Sequence, residues 1–372
     1  MRVLGLILCG SNQDNLKPLT RIRTSAAVPM FGKYRAIDFT LSNMVNSGIS
    51  KVGVLTQYNP RSLMDHLAGG KEWNLDRKRG GIFILQPFMV GSGESIYYKG
   101  TADAIFQNIS FLRRGDEDFV LIGSGDHIYN MSYMDLFKYH IRKGADITVI
   151  SSKICREDTR ICDYGQLAVD NDGRISEFVE KPTDCIYEDI SMGVYFINKA
   201  LLLELLYSSV PNNGYDMVRD IIIPNISKLR VYAYKHSGYW RNIKKSIKEY
   251  YDTNMDILKR EVRKELFYSG RKIYTKLKDY APPKININAC VSNSLIADGC
   301  IVNGQVKNSI ISRGVIIKAG ASVENSIIME DSVIEEGAIL KNAILDKSVT
   351  LRNAKRIEGI GEILTIEKDS VI

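Results

Sequence analysis

Short apolar runs and amphipathic stretches alternate along the first two thirds of the chain. Leu4 to Leu8 is an aliphatic run of the kind a buried parallel strand shows, and Gly10 follows it where the backbone must turn sharply. Phe39, Leu41, Met44, Val45 and Ile49 have the spacing of a buried helical face that stops at Gly48, and Lys51 to Thr56 reads as a second strand. Ala102 to Arg113 predicts a helix, Phe119 to Ile122 a strand leading into GSGDHIYN, Ser132 to Arg142 a helix and Asp146 to Ser151 a strand. Such alternation predicts a Rossmann-like α/β unit whose sheet is covered on both faces. YGQLAVDNDGRISEFVEKP adds a hairpin turning at Asn171, Asp172 and Gly173, so the sheet is mixed. SMGVYFINKALLLELL reads as a strand running into a helix. A loop and a long helix in GYWRNIKKSIKEYYDTNMDILKR close the unit, and Ala281, Pro282 and Pro283 mark a boundary.

From Ile285 onward the pattern changes to a period of six. Val315, Ala321, Ile327, Val333, Ile339, Leu345 and Leu351 form one column; Ile310, Ile316, Ser322, Ile328, Ile334 and Leu340 form a second. This repetition predicts a parallel β-helix, each rung burying its aliphatic position against the next. The expected plan is an α/β domain over 1–262, a linker over 263–284 and a β-helix over 285–372. Flat faces and exposed end rungs suit the last to assembly.

A chain of 372 residues with 45% hydrophobic and 25% charged content has material for two cored domains. No apolar run approaches the roughly 20 residues that span a bilayer, and the amino terminus enters a strand pattern at once, so a cytoplasmic location is expected without membrane partners. The six cysteines, Cys9, Cys155, Cys162, Cys185, Cys290 and Cys300, contain no Cys-x-x-Cys pair and read as small, reduced, buried residues. Part of the net charge of +7 is concentrated in Lys259, Arg260, Arg263, Lys264, Arg271, Lys272, Lys276, Lys278 and Lys284. Acidic and apolar residues interrupt that group, which reads as a solvated linker surface rather than a nucleic-acid site. The histidines are His66, His127, His140 and His236, all outside the β-helix, which argues against a hexapeptide-repeat acyltransferase.

Candidate chemistry centres on LGLILCGSNQDNLKPLTRIRTSAAVPMFGKYRAIDF, residues 4–39. It has the outline of a phosphate-handling loop, yet Ser11, Asn12, Gln13, Asp14 and Asn15 offer neither a glycine-rich cradle nor a cation. Asp126 stands at a strand end, where it can cap a helix or face a ligand. Arg21, Arg23, Lys33 and Arg35 form a cationic set just beyond the loop.

The loop resembles the signature of the glucose-1-phosphate adenylyltransferases, the ADP-glucose pyrophosphorylases. Gly10, Leu16, Pro18, Leu19, Thr20, Arg23, Ala27, Val28, Pro29, Gly32 and Lys33 fit it; the catalytic arginine position is Asn15, and the lysine and following proline are Ser25 and Ala26. Two glycines of the signature are Ser11 and Gln13. The likeness extends through LTQY, YYKGTA with Tyr97 for a tryptophan, GDHIY, Tyr164-Gly165, Glu180-Lys181-Pro182 and Ser191-Met192-Gly193. It implies nucleotide contacts at Gly10, Gln57, Tyr97, Gly125 and Asp126, and sugar-phosphate contacts at Tyr164, Gly165, Glu180, Lys181 and Ser191. Arg23, Lys33 and Arg35 become candidates for an anionic effector. Mg2+ would be held by Asp126 and a second carboxylate, but that motif reads Tyr239-Trp240-Arg241-Asn242-Ile243-Lys244-Lys245, so binding is expected to be weak or absent.

The resemblance further implies a left-handed β-helix. With Asn15, Ser25 and Asn242 at catalytic positions, the expected protein is a regulatory, catalytically depleted subunit. It would join a competent homologous subunit as a heterotetramer in glycogen synthesis. Two alternatives stay open: an active adenylyltransferase that uses Lys33, Lys181 or a lysine after Asn242, and a stand-alone sensor of sugar nucleotides.

Overall fold

The computed structural model describes residues 2–10, 14–87, 97–154 and 158–372; Ser11, Asn12, Gln13 and Cys155 lie outside them. A nine-stranded mixed sheet organises the first unit. Val3–Leu8 lies parallel between Lys51–Leu55 and Phe119–Ser124, and Gly81–Leu85 continues beyond Lys51–Leu55. Asp189–Asn198 runs antiparallel to Phe119–Ser124 and carries both Ile147–Lys153 and the hairpin of Gln166–Val169 with Ile175–Val179. Val231–Lys235 completes the sheet, parallel to Ile147–Lys153.

Alternate strand residues face opposite sides. On one face Ile7 and Leu121 pack with Leu41 and Met44 of the helix Ile37–Asn46 and with Leu136 and Phe137 of Met134–Lys143. On the other, Leu4, Leu6, Val120 and Ile122 meet Ile105, Leu112, Leu202 and Leu206. The helix expected over 102–113 is two helices, Thr101–Gln107 and Ile109–Arg113. Asn108 breaks it: its side-chain amide donates to the Ala104 carbonyl and to the Tyr98 hydroxyl, both at 2.9 Å.

Beyond Ala281-Pro282-Pro283, three five-stranded parallel sheets wind as a left-handed β-helix from Lys284–Ile285 to Leu364–Ile366. Its columns differ from those of a strict six-residue period. Ile316 pairs with Val333 and Val333 with Thr350, coils of 17 residues and one fewer than three sides of six, whereas Ile301 to Ile316 spans 15 and Leu345 to Ile366 spans 21. The true inner stacks are Val302, Ile317, Ile334, Leu351; Val306, Val323, Leu340, Ile357; and Ile296, Ile311, Ile328, Leu345, Ile366. Ile339, expected inside, is 37% exposed.

Asparagine at one corner accounts for the missing residue. Asn293, Asn308, Asn325 and Asn342 all take positive φ, between 41 and 49°, a conformation asparagine tolerates because its short amide can bond locally. Their side chains form a ladder: Asn293 Nδ2 donates to Asn308 Oδ1 at 2.9 Å, Asn308 to Asn325 at 2.7 Å, Asn325 to Asn342 at 3.2 Å, and Asn342 to the Gly359 carbonyl at 3.1 Å.

One outward column of the β-helix is buried against the first unit. Ile310, Ile327 and Ile344 pack with Leu16, Leu19, Val28, Met30, Phe31, Phe39 and Tyr250. Within this seam the Arg23 guanidinium donates to both carboxylate oxygens of Asp346, at 2.9 and 3.0 Å, and each residue is 2% exposed. The Tyr250 hydroxyl donates to the Pro29 carbonyl at 2.6 Å, and the Phe31 amide donates to Asn254 Oδ1 at 2.9 Å.

The backbone of the connecting region is strapped down, while Lys259, Arg260, Lys264, Lys272, Lys278 and Lys284 are exposed as expected of a solvated surface. A helix, Arg260–Phe267, runs past position 262. The Tyr274 amide donates to Ser42 Oγ at 2.9 Å, and the Lys272 carbonyl accepts from Asn46 Nδ2 at 2.9 Å. Lys276 reaches the Asp65 carbonyl at 2.6 Å, and Lys278 lies 3.3 Å from Glu330. Burial is confirmed for Cys9 and Cys300, whereas Cys290 is exposed and Cys162 and Cys185 are half-buried; these five are free thiols.

Replacing Arg23 with Met should strand the Asp346 carboxylate and cost about 3–5 kcal/mol, with a much smaller loss when Asp346→Leu accompanies it; urea midpoints of the two single variants and the double variant check this. Asn325→Ala removes two ladder bonds and places a side chain without a local acceptor at φ 45°. A loss of about 1–3 kcal/mol is expected, read from urea unfolding followed by circular dichroism.

Candidate functional site

The carboxyl ends of Val3–Leu8, Lys51–Leu55 and Phe119–Ser124 open on a cavity of about 840 Å³. Strand ends in an open α/β sheet collect ligands because the loops that follow diverge there. Leu8, Gly10, Leu55, Gln57 and Ser124 line it from these ends; Tyr164, Gly165, Glu180, Lys181 and Ser191 line it from the hairpin side. Asn15 reaches it too, with no cation to contribute.

Several expected contacts turn out to be positioning elements. The Gln57 amide is engaged at both ends, donating to the Gly10 carbonyl at 2.7 Å and accepting from the Tyr98 amide at 2.8 Å. It therefore ties the first loop to the segment at 98 instead of presenting a free amide. Tyr97 stands at the rim, 53% exposed, with its ring stacked on Tyr58 at 5.7 Å. Gly125 lies behind the cavity wall, where a Cβ would sit 2.5 Å from Cys9 Sγ and 2.9 Å from Ala26 Cβ.

On the hairpin side, Gly165 lets Phe178 and Glu180 close up on the backbone: a Cβ would lie 2.3 Å from the Phe178 ring and 2.7 Å from Glu180 Oε2. Burial raises the Glu180 carboxyl pKa, with Lys181 opposing it. Lys181 is exposed, takes φ 49°, and its ammonium lies 3.8 Å from Glu180 Oε1. Ser191 Oγ accepts from the Gly193 amide at 3.1 Å.

Asp126 is 3% exposed and closely surrounded. Ser124 Oγ donates to Oδ1 at 2.5 Å and Ser25 Oγ to Oδ2 at 3.1 Å; Lys244 Nζ lies 3.9 Å from Oδ2. Burial would raise this carboxyl, but the Lys244 ammonium, His127 and the two hydroxyls outweigh it and hold it below its ordinary range. Burial takes His127 down to about 4, against the pull of Asp126, so the imidazole is neutral at pH 7.

These residues do not fit a hard dication. Asn242 Oδ1 accepts from the Lys244 backbone amide at 3.2 Å, capping its own turn, and the Lys244 ammonium stands beside the one carboxylate at the strand end. Among the described residues no group of three His, Cys, Asp or Glu side chains is placed to hold a metal ion.

The effector candidates separate. Arg23 is buried against Asp346 and is closed to a ligand. Lys33 and Arg35 do come together, lining a second cavity of about 80 Å³ at the junction of the two units with Lys276, Lys278, Arg313, Asp65 and Glu330. Arg35 is partly engaged there, donating to the Ser62 carbonyl and hydroxyl at 2.8 and 2.7 Å.

With this geometry in hand, comparison with known proteins is decisive. The nucleotidyl transferase family model matches residues 4–260, and the GlmU-like C-terminal hexapeptide model matches 283–362. A glucose-1-phosphate adenylyltransferase of Thermotoga neapolitana is 41% identical over 87% of this chain and 76% of its own. Those of Fusobacterium nucleatum and Geobacillus stearothermophilus are 40% and 38% identical, over 87% of this chain and 84% and 83% of theirs. The chain belongs to the glucose-1-phosphate adenylyltransferase family.

A lysine after Asn242 is expected from the sequence only as a substitute cation in the active-enzyme alternative; the fold brings both Lys244 and Lys245 to the cavity. Lys245 Nζ lies 3.0 Å from Asp163 and 3.2 Å from the centre of the Tyr164 ring. His127 Nδ1 and Trp240 Nε1 are buried without hydrogen-bond partners, and both residues line the cavity. The GDHIY and Tyr-Trp pairs were visible in the sequence, but only the fold packs the His127 and Trp240 rings together, 5.4 Å apart. No helix among the described residues is long and apolar enough to cross a membrane.

Burial lowers the Lys245 pKa to about 8 even against the pull of Asp163. The unfolded chain thus holds this proton between pH 8 and about 10.5 while the folded chain has released it, so stability rises with pH across that window. Measured by urea unfolding at several pH values, the wild type should gain stability relative to Lys245→Gln between pH 8 and 10.5.

Proposed function

We propose that this chain is a regulatory-type member of its family that keeps the sugar-nucleotide cleft and makes ADP-glucose weakly or not at all. One observation carries this reading: a lysine ammonium stands on Asp126, the carboxylate expected to hold the metal, while Asn242 is neutral. Adenylyl transfer develops charge on the departing diphosphate, and an arginine placed for such charge contributes about 10³–10⁵ in rate, or about 4–7 kcal/mol. Asn15 and Ser25 supply none of it, and Ser25 donates to Asp126 instead.

The sugar side supports retained binding. Tyr164, Gly165, Glu180, Lys181 and Ser191 share one cavity wall, and Gly165 allows Phe178 and Glu180 to pack closely behind it. In this reading the chain acts in the cytoplasm in glycogen synthesis, joined to a catalytic homologous subunit as a heterotetramer, and bears on that subunit's rate or effector response. The Lys33 and Arg35 cavity at the junction is the place for an anionic effector, since cations from both sides of the boundary converge there.

A second reading, an active adenylyltransferase, is favoured by the relatives, which are named glucose-1-phosphate adenylyltransferases, and by the two ammonium groups of Lys244 and Lys245 in the cleft. Assay of the purified chain with ATP, glucose 1-phosphate and magnesium separates the two. We expect a rate at least about 10³-fold below that of a catalytic homologue. The combined change Asn15→Arg, Ser25→Lys, Asn242→Asp and Lys244→Gly should raise it. Co-expression with a catalytic homologue should give a mixed complex on size analysis with altered kinetics; brisk turnover by the chain alone, or no complex and no kinetic change, overturns the regulatory reading.

A further inference from the structure

A cleft built for phosphate esters needs positive charge near the phosphates, and this one has lost the cations that the loop at 15 and 25 would bring. The turn after Trp240–Asn242 brings others. Lys244 extends from the short helical turn Ile243–Lys245 into the cavity, 35% exposed, and its Nζ comes within 3.9 Å of Asp126 Oδ2. Asn242 sets that turn by capping it, with its carbonyl oxygen directed at the Lys244 amide. On the far side, Asp126 is fixed by Ser124 and Ser25 hydroxyls, so the carboxylate stays in place while the ammonium beside it keeps open solvent-facing valences.

We propose that Lys244 is the fixed cation of this cleft, standing in the place of a divalent metal, and that it takes the phosphate groups of a sugar nucleotide or sugar phosphate directly. The inference rests on the sugar-nucleotide reading above and adds how the anion is held. A dication between Asp126 and Asn242 would meet an ammonium rather than a second carboxylate. The lysine carries one positive charge against a dication's two and gives hydrogen bonds rather than Lewis-acid coordination, so it offsets less of the charge that develops in transfer and favours holding a ligand over converting it.

Two measurements decide it. The first uses Mn2+ alone, read by the loss of its free-ion electron paramagnetic resonance signal. Wild-type protein should leave millimolar-range Mn2+ unbound, and the variant Asn242→Asp with Lys244→Gly should bind it. Stoichiometric Mn2+ uptake by the wild type that Asp126→Asn abolishes overturns the inference.

The second is calorimetric titration with ADP-glucose and with glucose 1-phosphate, in chelator and in magnesium at matched ionic strength. Affinities should agree within about twofold between the two conditions, Lys244→Met should weaken them at least about tenfold in both, and Lys244→Arg should largely retain them. Binding that needs magnesium, or that Lys244→Met leaves intact, sinks the lysine and spares the sugar-nucleotide reading. No binding of either ligand by the folded wild type in either condition sinks that reading and this inference with it. Should Lys244→Met fail to fold, the wild-type metal titration and the magnesium comparison still decide.

Discussion

A single buried ion pair at an apolar seam holds the working loop of this molecule against its second domain. Arg23 and Asp346, each almost wholly enclosed, sit among Leu16, Leu19, Met30, Phe31 and the outward isoleucines of the β-helix. Removing both charges from water is costly, so the geometry has to be good for the pair to persist, and the two near-equal contacts at 2.9 and 3.0 Å meet that demand. Leu16, packed in this seam, directly follows Asn15 of the cavity wall, so the β-helix contact and the cleft are one residue apart in the chain.

Charge in the cleft is rearranged rather than removed. The loop contributes the neutral Asn15 to the cavity, while the turn after Trp240 contributes Lys244 and Lys245 and the rim contributes Lys99 and Lys181. Positive charge therefore stands beside Asp126 and Tyr164 rather than at Asn15. A cleft with that polarity attracts anions and positions them. Around it, His127 and Trp240 each keep a buried polar atom without a partner, which a bound ligand's hydroxyl or phosphate oxygen is suited to satisfy.

Much of this architecture could be read from the chain. Aliphatic runs ending at Leu8, Leu55 and Ile122 located the strands, and Gly-rich or Asp-rich turns located their ends. The helix break at Asn108 escaped because it depends on a side-chain bond to Tyr98, which is close only in the folded state. The six-residue period was nearly right but drifted, since a local repeat does not reveal that one corner per coil is a residue short. Arg23 was misread for a related reason: its partner lies more than three hundred positions away, and a lone arginine next to a basic cluster looks like a surface site. The likeness to a family located Lys181 and Asp126; a lysine after Asn242 was an open substitute cation in the sequence, and only the fold shows Lys244 lying 3.9 Å from Asp126.

The corners also decide where this protein can change in length. Side chains on a short rung alternate inward and outward, so a residue inserted within a rung such as Ser322–Glu324 would turn the remainder of that rung the wrong way. Corners are the tolerant joints: successive members of one inner stack lie 15 residues apart from Ile296 to Ile311, 17 from Ile311 to Ile328 and 21 from Leu345 to Ile366, and the stack continues through all three.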